Sequence, residues 1–270
     1  MADIHVNLTA YEGVEKMERF TEESFRKYCS DKLASCTKHV SFIKKFTQKQ
    51  LINVIEVGSG SGKLLFRMEQ EGMLLQGVGF EPSSSRTFFA SKFAKNVNSS
   101  LVGIFQEDFV KTSLQLGHFD VIIGIDVVIN LIGAISKNYL HDFFIKSISY
   151  LKPGGIIILE SITLKREIEA IRKSENGFFT PWKRFVESDP FKYGLDEMSL
   201  DADGNLVWHK YFIERNTGRE ESFTNILKPL DKSDMLSIAA NIGLTVSFYD
   251  QWQEYDDTSD EEFIAVFKNH

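Results

Sequence analysis

The chain has 270 residues, of which 43% are hydrophobic and 26% are charged, and its formal net charge at pH 7 is −7. This composition is ordinary for a globular protein with one sizeable core and does not fit a disordered or fibrous chain. The negative charge disfavours nucleic acid as a partner, since domains that bind it usually carry a basic face. The apolar runs are interrupted by polar residues such as Asp126, and the first residues lack a signal-peptide pattern, so we expect a cytoplasmic protein without a membrane span.

Nothing in the sequence has the spacing of a metal site. Cys29 and Cys36, the only cysteines, are separated by six residues, and two thiols alone cannot complete a tetrahedral site. We expect both thiols to stay reduced, as is usual in the cytosol. The run from Asp201 to Gly204 resembles a calcium-binding loop only superficially, because its glycine comes at the fourth position and Phe212 replaces the glutamate at the twelfth. A polar turn is predicted there instead.

Residues 1–50 are predicted to form a helical N-terminal flap, because apolar side chains recur at helical spacing within residues 10–28 and 31–46. Two roles remain open for this flap. It either packs on the edge of the main domain or closes over a bound ligand. In the second case, Tyr11 or Tyr28 would bring a hydroxyl group into the site.

A strand, a glycine-rich turn and a helix follow the flap. Residues 53–57 have the short apolar run of a buried parallel strand, and Gly58, Gly60 and Gly62 follow at alternate positions. Glycines allow a sharp turn and a close approach of the backbone to a ligand, which would face the N-terminus of a helix that begins at Lys63. The dinucleotide fingerprint would need glycine at position 63, and the sequence Gly-Lys-Ser/Thr of a phosphate loop is missing.

The second predicted strand, residues 75–81, ends in Glu81. This residue comes nineteen positions after Gly62, the separation at which nucleoside-binding βαβ units place an acidic side chain for the ribose hydroxyls. A carboxylate can accept hydrogen bonds from both hydroxyls, whereas it would repel a 2′-phosphate. Pro82 follows, and Ser83 is well suited to cap the next helix.

The next strands also end in acidic residues. Residues 101–109 are predicted to form a strand and a turn that contains Asp108, and residues 119–126 form a fourth strand that ends in Asp126. After a helix over residues 139–150, the sequence Leu-Lys-Pro-Gly-Gly leads into a fifth strand over residues 151–160. Ligands of open α/β sheets bind at the carboxyl ends of such strands, so we expect the acidic side chains to share one edge.

Taken together, these motifs across residues 54–160 resemble those of the class I S-adenosylmethionine-dependent methyltransferases. The resemblance implies an α/β, Rossmann-like fold with a seven-stranded, mostly parallel sheet in the order 3-2-1-4-5-7-6. The last two strands would form an antiparallel hairpin. It also implies an enzyme with S-adenosylmethionine as its cofactor.

The resemblance further assigns roles to individual residues. The glycine turn, with Glu56 close to it, would hold the amino-acid part of the cofactor, and Glu81 would hold the ribose. Pro82 would lie against the adenine, and Asp108 would accept a hydrogen bond from the adenine amino group, with Glu107 as the competing carboxylate. The implied cofactor-binding residues are Glu56, Gly58, Ser59, Gly60, Gly62, Glu81, Pro82, Asp108, Phe109 and Asp126.

Residues 51–160 and 229–270 are predicted to form the cofactor-binding domain, which ends in a helix, a strand, an acidic turn over residues 256–262 and a last strand. Residues 161–228 form an aromatic-rich α+β insertion. Within it we expect a charged helix over residues 162–174, an irregular aromatic stretch, and a hairpin of residues 208–215 and 219–226. Its rings would bury one another, and the insertion would also serve as a lid that shapes an acceptor pocket.

The sequence therefore predicts methyl transfer to an oxygen or nitrogen atom of a small organic metabolite, such as a sugar, an amine or a natural-product intermediate, by a monomer or homodimer. His209 is the first candidate for a catalytic base because the free pKa of histidine suits neutral pH, and Glu160 is the second. The sequence lacks the Pro-Pro motif of enzymes that methylate exocyclic base amines, and it lacks a Pro-Cys nucleophile.

Two other interpretations remain. The chain could bind the cofactor without transferring its methyl group and act as a partner or sensor. A protein or tRNA methyltransferase fits less well, because the chain is acidic and lacks an added binding domain. An NAD-dependent oxidoreductase is disfavoured by the spacing of the glycines.

Overall fold

The computed structural model describes residues 5–13, 15–47, 51–187, 189–250 and 262–268. At its centre lies a seven-stranded sheet, in which five parallel strands continue into an antiparallel hairpin. Across the sheet the order is 3-2-1-4-5-7-6, counted along the chain, so the predicted topology is confirmed. The strands are β1 (Ile52–Val57), β2 (Leu74–Phe80), β3 (Val102–Phe105), β4 (Phe119–Gly124), β5 (Leu151–Ile162), β10 (Thr245–Tyr249) and β11 (Glu262–Lys268).

Side chains alternate along β1 between two buried clusters, one on each face of the sheet. Ile55 and Val57 belong to the cluster that includes Phe143, whereas Ile52 and Val54 belong to the other. Strands covered on both faces have the nearly continuous apolar sequences that predicted them. The polar side chains that matter for function therefore lie where the strands end.

The helices of this domain begin and end largely where the sequence signals suggest. Ser83 caps α4, and its hydroxyl accepts a hydrogen bond from the amide of Arg86, while Gly243 ends α8 with φ of 72°. One helix, α5, follows the fourth strand directly and was not predicted. The helices are α3 (Lys63–Gln70), α4 (Ser84–Asn96), α5 (Val128–Ile135), α6 (Lys137–Tyr150) and α8 (Lys232–Ile242).

The N-terminal flap is only partly helical. Its two full helices are α1 (Glu22–Ser35) and α2 (Thr37–Phe46), and short 3₁₀ turns occur at Val6–Leu8 and Met17–Arg19. The helix predicted from residue 10 begins only at Glu22, because Thr21 forms a capping box there with Ser24. The aromatic side chains before Thr21 pack through tertiary contacts and not along a helix.

A second sheet lies within the insertion, and we call it the lid sheet. It consists of four antiparallel strands, β6 (Trp182–Arg184), β7 (Phe191–Leu200), β8 (Leu206–Glu214) and β9 (Glu220–Leu227). The hairpin of β8 and β9 was predicted, but β6 and β7 occupy the stretch predicted as irregular. The charged helix is α7 (Lys165–Lys173), and Asp201 accepts two backbone hydrogen bonds in the polar turn between β7 and β8.

Asn7 fastens the N-terminal segment to both the main domain and the lid sheet. Its side-chain amide donates to the carbonyl oxygens of Leu131 in α5, at 2.9 Å, and of Ile226 in β9, at 2.7 Å. Its Oδ1 accepts from the Ile226 amide at 2.8 Å. One side chain thus links three parts of the chain that are distant in sequence.

Replacing Asn7 by alanine is expected to lower the free energy of unfolding by about 1–3 kcal/mol, because three partly buried backbone groups lose their partner. Urea unfolding at pH 7 measures this difference. Asn216→Ala, in an exposed turn of the lid sheet, should change the unfolding free energy by less than about 0.5 kcal/mol. Equal stabilities of the two variants would contradict the role given to Asn7.

The remaining expectations concern the two cysteines, the acidic turn and a possible membrane span. Cys29 and Cys36 are buried free thiols. The predicted acidic turn lies outside the described residues except for Glu262, which begins β11. Among the described helices, none combines the length and the apolar character needed to cross a membrane.

Candidate functional site

A cavity opens at the edge where β1, β2 and β4 end. It contains about 870 Å³ of empty space when the open solvent at its mouth is included. Six of the ten residues predicted to bind the cofactor line it, and Glu56, Ser59, Gly60 and Gly62 lie behind this lining. The six are Gly58, Glu81, Pro82, Asp108, Phe109 and Asp126.

The glycine turn brings the backbone to the cavity. Gly58 has φ of 65°, and a Cβ atom there would lie 2.6 Å from a methyl carbon of Val128. A Cβ atom on Gly60 would lie 2.3 Å from the guanidinium of Arg86. Larger residues at these positions would therefore require both backbone strain and displaced neighbours. Gly62, in contrast, faces Phe66 and Ile104 and serves to start α3.

Glu56 is a buried acidic residue beside this turn. Its side chain is 1% exposed, and neither carboxylate oxygen has a hydrogen bond of normal geometry among the described residues. Burial raises the pKa of Glu56 to about 8, although the positive charge of Lys63 opposes the shift. The Ser59 hydroxyl is buried and likewise unpaired within the described part of the chain. Such unsatisfied groups are uncommon and suit a site that a polar ligand completes.

Glu81 connects the glycine turn to the next helix. One carboxylate oxygen accepts from the Gly60 amide at 2.9 Å, and the other accepts from the Ser83 amide at 3.0 Å. Each oxygen keeps a second lone pair, so the carboxylate can still accept two hydrogen bonds from a ligand. This geometry fits a pair of ribose hydroxyls.

Asp108 and Glu107 both line the cavity, in the turn after β3. The Asp108 Oδ1 accepts from the Val110 amide at 3.0 Å and from the hydroxyl of Tyr139, while Lys111 lies 3.1 Å from its Oδ2. Glu107 accepts from Thr112 at 2.5 Å. Burial and the bond to Asp108 raise the pKa of Tyr139, which therefore stays protonated. Asp108 is consequently the more firmly oriented of the two carboxylates.

Phe109 and Pro82 supply apolar surface beside these carboxylates. Phe109 is 3% exposed, and its ring packs against Phe80 and Phe143 at centroid distances of 5.6 Å. It therefore belongs to the core as well as to the cavity wall. Pro82 lines the cavity next to Glu81.

Asp126 and Glu160 meet at the ends of β4 and β5. The backbone amide of Asp126 donates to the Glu160 carboxylate, and Asp126 has φ of 58°, which is unusual for a residue other than glycine. The Asp126 side chain is exposed at the mouth, 3.8 Å from Lys63. Glu160 is not part of the cavity wall. Its observed contact holds the Asp126 backbone in place.

Arg86 and Tyr11 also line the cavity, and of the two only Tyr11 was offered by the sequence. The Arg86 guanidinium lies 4.8 Å from the Tyr11 ring centroid, 3.2 Å from Glu15 and 3.6 Å from Glu81. The Tyr11 hydroxyl, which the sequence offered only as an alternative, accepts a hydrogen bond from Asn225 at 3.0 Å. The aromatic spacing gave a weak signal for Tyr11, but Arg86 had none, because it lies inside a helix.

His209 does not reach the cavity. It lies on β8 of the lid sheet, where its Nδ1 forms a hydrogen bond with the hydroxyl of Thr224 on β9. Side chains alternate along a strand, so His209 points to the face opposite that of Trp208 and Lys210. The latter face packs on the main domain, because Phe223, opposite Lys210, contacts Tyr11. The geometry therefore does not support His209 as a base for chemistry in this cavity.

The comparisons with known proteins point to one family of enzymes. The model of the methyltransferase domain family matches residues 48–197, which is more than half of the chain. A short segment of 44 residues is 50% identical to cyclosporin synthetase simA of Tolypocladium inflatum. It makes up 16% of this chain and a share of that protein that rounds to 0%, so the chain spans only a very small part of this relative.

Solved structures of methyltransferases share the fold. An S-adenosylmethionine-dependent methyltransferase from Clostridium acetobutylicum ATCC 824 has a TM-score of 0.71 at 13% identity, over 86% of this chain and 90% of that one. For the CcbJ methyltransferase from Streptomyces caelestis the TM-score is 0.67 at 17% identity, over 85% and 87%. CalS10, an amino pentose methyltransferase from Micromonospora echinaspora, has a TM-score of 0.61 at 14% identity, over 87% and 91%.

The residues at the cavity fit the cofactor of these proteins. Gly58 and the available lone pairs of Glu81 at the cavity wall, with the unpaired oxygens of Glu56 behind it, suit a nucleoside that carries an amino acid. S-adenosylmethionine is the cofactor, and the predictions of an enzyme and of this cofactor are confirmed. The chain belongs to the class I S-adenosylmethionine-dependent methyltransferases.

Proposed function

We propose that this enzyme methylates an oxygen or nitrogen atom of a small organic metabolite. The observation that carries the proposal is the lining of the cavity, to which α5 and the N-terminal segment contribute beside the strand ends. Leu131, Ile132 and Ile135 of α5 lie in this lining, together with Leu8 and Tyr11 of the N-terminal segment. A small acceptor fits such a pocket, whereas a folded protein or RNA would need an accessible surface.

The fold similarity to enzymes with small acceptors supports this proposal. One of the similar structures is described as an amino pentose methyltransferase, and another as a glycopeptide N-methyltransferase with a TM-score of 0.54. The net negative charge of the chain also favours a small acceptor over a nucleic acid, since a negatively charged protein attracts a nucleic-acid backbone only weakly.

We assign the cofactor contacts as follows. Glu56 and the turn from Gly58 to Gly62, including Ser59 and Gly60, would hold the amino-acid part, and Glu81 would accept from the ribose hydroxyls. Asp108 would accept from the adenine amino group, between Pro82 and Phe109, and Asp126 would lie at the mouth. When bound, S-adenosylmethionine supplies an activated methyl group on a positively charged sulfur.

The task of the protein is then largely alignment. Walls formed by α5 and the N-terminal segment exclude water and fix the acceptor atom relative to the methyl group. Orientation of this kind can lower a barrier by about 7–11 kcal/mol. The Asn7 side chain ties the N-terminal segment, which lines the pocket, to α5 and to β9 of the lid sheet.

Incubation with labelled S-adenosylmethionine and a metabolite extract tests the proposal. We expect mass spectrometry to find a small product that is heavier by one methylene group. Transfer only to protein or RNA fractions would contradict it. No transfer to any fraction, despite tight cofactor binding, would favour a catalytically silent binding protein, an alternative that the position of His209 away from the cavity also suits.

The assignment of Asp108 leads to a separate prediction. Asp108→Asn should weaken S-adenosylmethionine binding by about 10-fold, because the amide can present a donor to the adenine amino group and also disturbs the bond from Tyr139. Glu107→Gln, at the adjacent position, should change the affinity by less than about 3-fold. Calorimetry measures both constants, and the reverse order of effects would move the adenine contact to Glu107.

A further inference from the structure

The inward face of the lid sheet carries a group of polar side chains that the cofactor site does not use. Asp196 on β7 is paired across the strands with Lys210 on β8, and Trp208 on β8 is paired with Asn225 on β9. Because side chains two residues apart share a face, all four lie on the same side of the sheet. We call them the inner lid cluster.

Three atoms of this cluster are buried without a hydrogen-bond partner among the described residues. They are the Asp196 Oδ1, the Trp208 Nε1 and the Asn225 Oδ1. Asp196 is 7% exposed and Asn225 is 0% exposed. Leaving a buried polar group unpaired costs stability, so two acceptors and one donor in one place suggest a missing ligand.

The cluster adjoins the cofactor cavity. Asn225 donates to the hydroxyl of Tyr11, which lines the cavity. Trp208 packs against the same apolar residues as Val127 and Leu131, and both of these also line the cavity. A ligand held by the inner lid cluster would therefore lie beside the mouth at which Asp126 is exposed.

Lys210 is largely buried beside two aromatic rings. Its Nζ is 3.5 Å from the Trp208 ring centroid and 5.7 Å from that of Phe223. Burial lowers the pKa of Lys210 to about 8, and Lys183 on β6 contributes in the same direction. The carboxylates of Asp196 and Asp126 oppose this shift. A substantial fraction of Lys210 is therefore neutral near pH 8 and able to accept a proton.

We propose that the inner lid cluster binds the methyl acceptor, that this acceptor is a small amine with a neighbouring hydroxyl group, and that Lys210 accepts the proton from its ammonium group. This inference rests on the proposed function, methyl transfer to a small metabolite. Asp196 and Asn225 would accept from the ammonium and hydroxyl groups, and the Trp208 indole would donate to the hydroxyl.

An amine fits better than a simple alcohol for two reasons. The two carboxylates near the site, Asp196 and Asp126, favour a positively charged ligand. An ammonium group also has an acidity comparable to that of lysine, so an amine base can remove its proton, whereas an alcohol is far less acidic and needs a stronger base.

Methyl transfer begins with a proton transfer. Lys210 in its neutral form takes the proton of the acceptor ammonium and becomes positively charged, which leaves a lone pair on the acceptor nitrogen. That lone pair forms the new bond to the methyl carbon, and the electron pair of the broken carbon–sulfur bond stays on the sulfur. The methylated nitrogen carries the positive charge, and Lys210 returns its proton to solvent.

Ligand binding tests the site without any turnover. The probes are 2-aminocyclohexanol and the matched diol cyclohexane-1,2-diol, measured by saturation-transfer NMR on protein saturated with S-adenosylhomocysteine. We expect the amino alcohol to bind at least about 5-fold more tightly than the diol, as for a partly buried ion pair. Asp196→Asn should abolish this preference, whereas Glu197→Gln, on the same strand but the opposite face, should retain it.

The pH dependence of probe binding tests Lys210. As pH rises through about 8, Lys210 loses its charge and its repulsion of the ammonium, so wild-type affinity for the amino alcohol should increase. Lys210→Met should remove this increase, and Lys192→Met, an exposed lysine of the same sheet, should leave it intact. A residue with only a structural role would not change the pH profile.

Single-turnover methyl transfer gives the second readout. With the acceptor found in the metabolite extract, we expect an N-methylated product and a rate for Lys210→Met that is lower by about 10²–10⁴-fold. An O-methylated product, or a Lys210→Met rate close to that of the wild type while His209→Ala abolishes transfer, would overturn the inference and leave the proposed function intact. If no extract is methylated, the proposed function fails. The inference then depends only on whether the protein prefers the amino alcohol to the diol and whether Asp196→Asn loses this preference.

Discussion

Glu81→Ala is expected to lower the affinity for S-adenosylmethionine by about 100-fold or more. Two ribose hydroxyls would lose a charged acceptor, and hydrogen bonds to charged groups contribute about 1.5–3 kcal/mol each. The substitution also frees the Gly60 and Ser83 amides, which are 2.9 and 3.0 Å from the carboxylate, so the glycine turn loses its tie to α4. Calorimetric titration with the cofactor measures the change.

A matched variant separates this loss from a general loss of stability. Glu69, in the last turn of α3, also accepts hydrogen bonds from two backbone amides, those of Ser100 at 2.8 Å and Leu101 at 3.0 Å, but these amides precede β3, at the opposite edge of the sheet. Glu69→Ala should lower the free energy of unfolding to a similar degree and leave the cofactor affinity within about 3-fold. Unchanged affinity in Glu81→Ala would show that the ribose contact is assigned wrongly.

The parts of the fold that were predictable depend on local signals. The apolar run before Gly58, the serine cap at Ser83 and the glycine at position 243 each determine the geometry of their neighbours, so β1, α4 and α8 could be located from the sequence. The sheet order followed from the family resemblance and not from these signals. Helix α5 was not predicted, because its apolar residues directly follow a strand and carry no recognisable cap.

The lid sheet was less predictable, because its structure depends on pairing between distant residues. Phe191, at the start of β7, pairs with Glu214 on β8, which lies 23 residues (214 − 191) further along the chain. The sequence did indicate that His209 lies on a strand of a hairpin. It could not indicate which face of that strand packs on the main domain. Because neighbouring side chains point to opposite faces, this choice decides whether His209 or Lys210 points towards the main domain.

Replacing Glu56 by glutamine is expected to stabilise the ligand-free protein at alkaline pH. The carboxyl pKa is raised from 4.5 to about 8, so between these values the folded state binds one proton more than the unfolded state. Unfolding free energy therefore falls as pH rises from about 4.5 to 8 and stays lower above that. The full shift corresponds to an upper limit of roughly 5 kcal/mol, and we expect about 1–3 kcal/mol after local relaxation. Glutamine does not titrate and avoids this loss.

Urea unfolding from pH 5 to 9 measures the difference. The curves of wild type and Glu56→Gln should diverge as pH increases, with the variant more stable at pH 9. Glu22→Gln, at a position that is 81% exposed, should follow the wild type throughout. Parallel curves for wild type and Glu56→Gln would mean that Glu56 titrates normally in the folded protein.

The raised pKa of Glu56 also leads to a prediction about cofactor binding. If the ammonium group of the cofactor lies beside the glycine turn, its charge favours the ionised form of Glu56, and binding near pH 7 should release a proton to solvent. Calorimetry in buffers of different ionisation enthalpy measures this release. Glu56→Gln should release less and should bind S-adenosylmethionine more weakly, so that the variant gains stability and loses cofactor affinity. Equal proton release by the wild type and Glu56→Gln would show that the ionisation of Glu56 is not linked to cofactor binding.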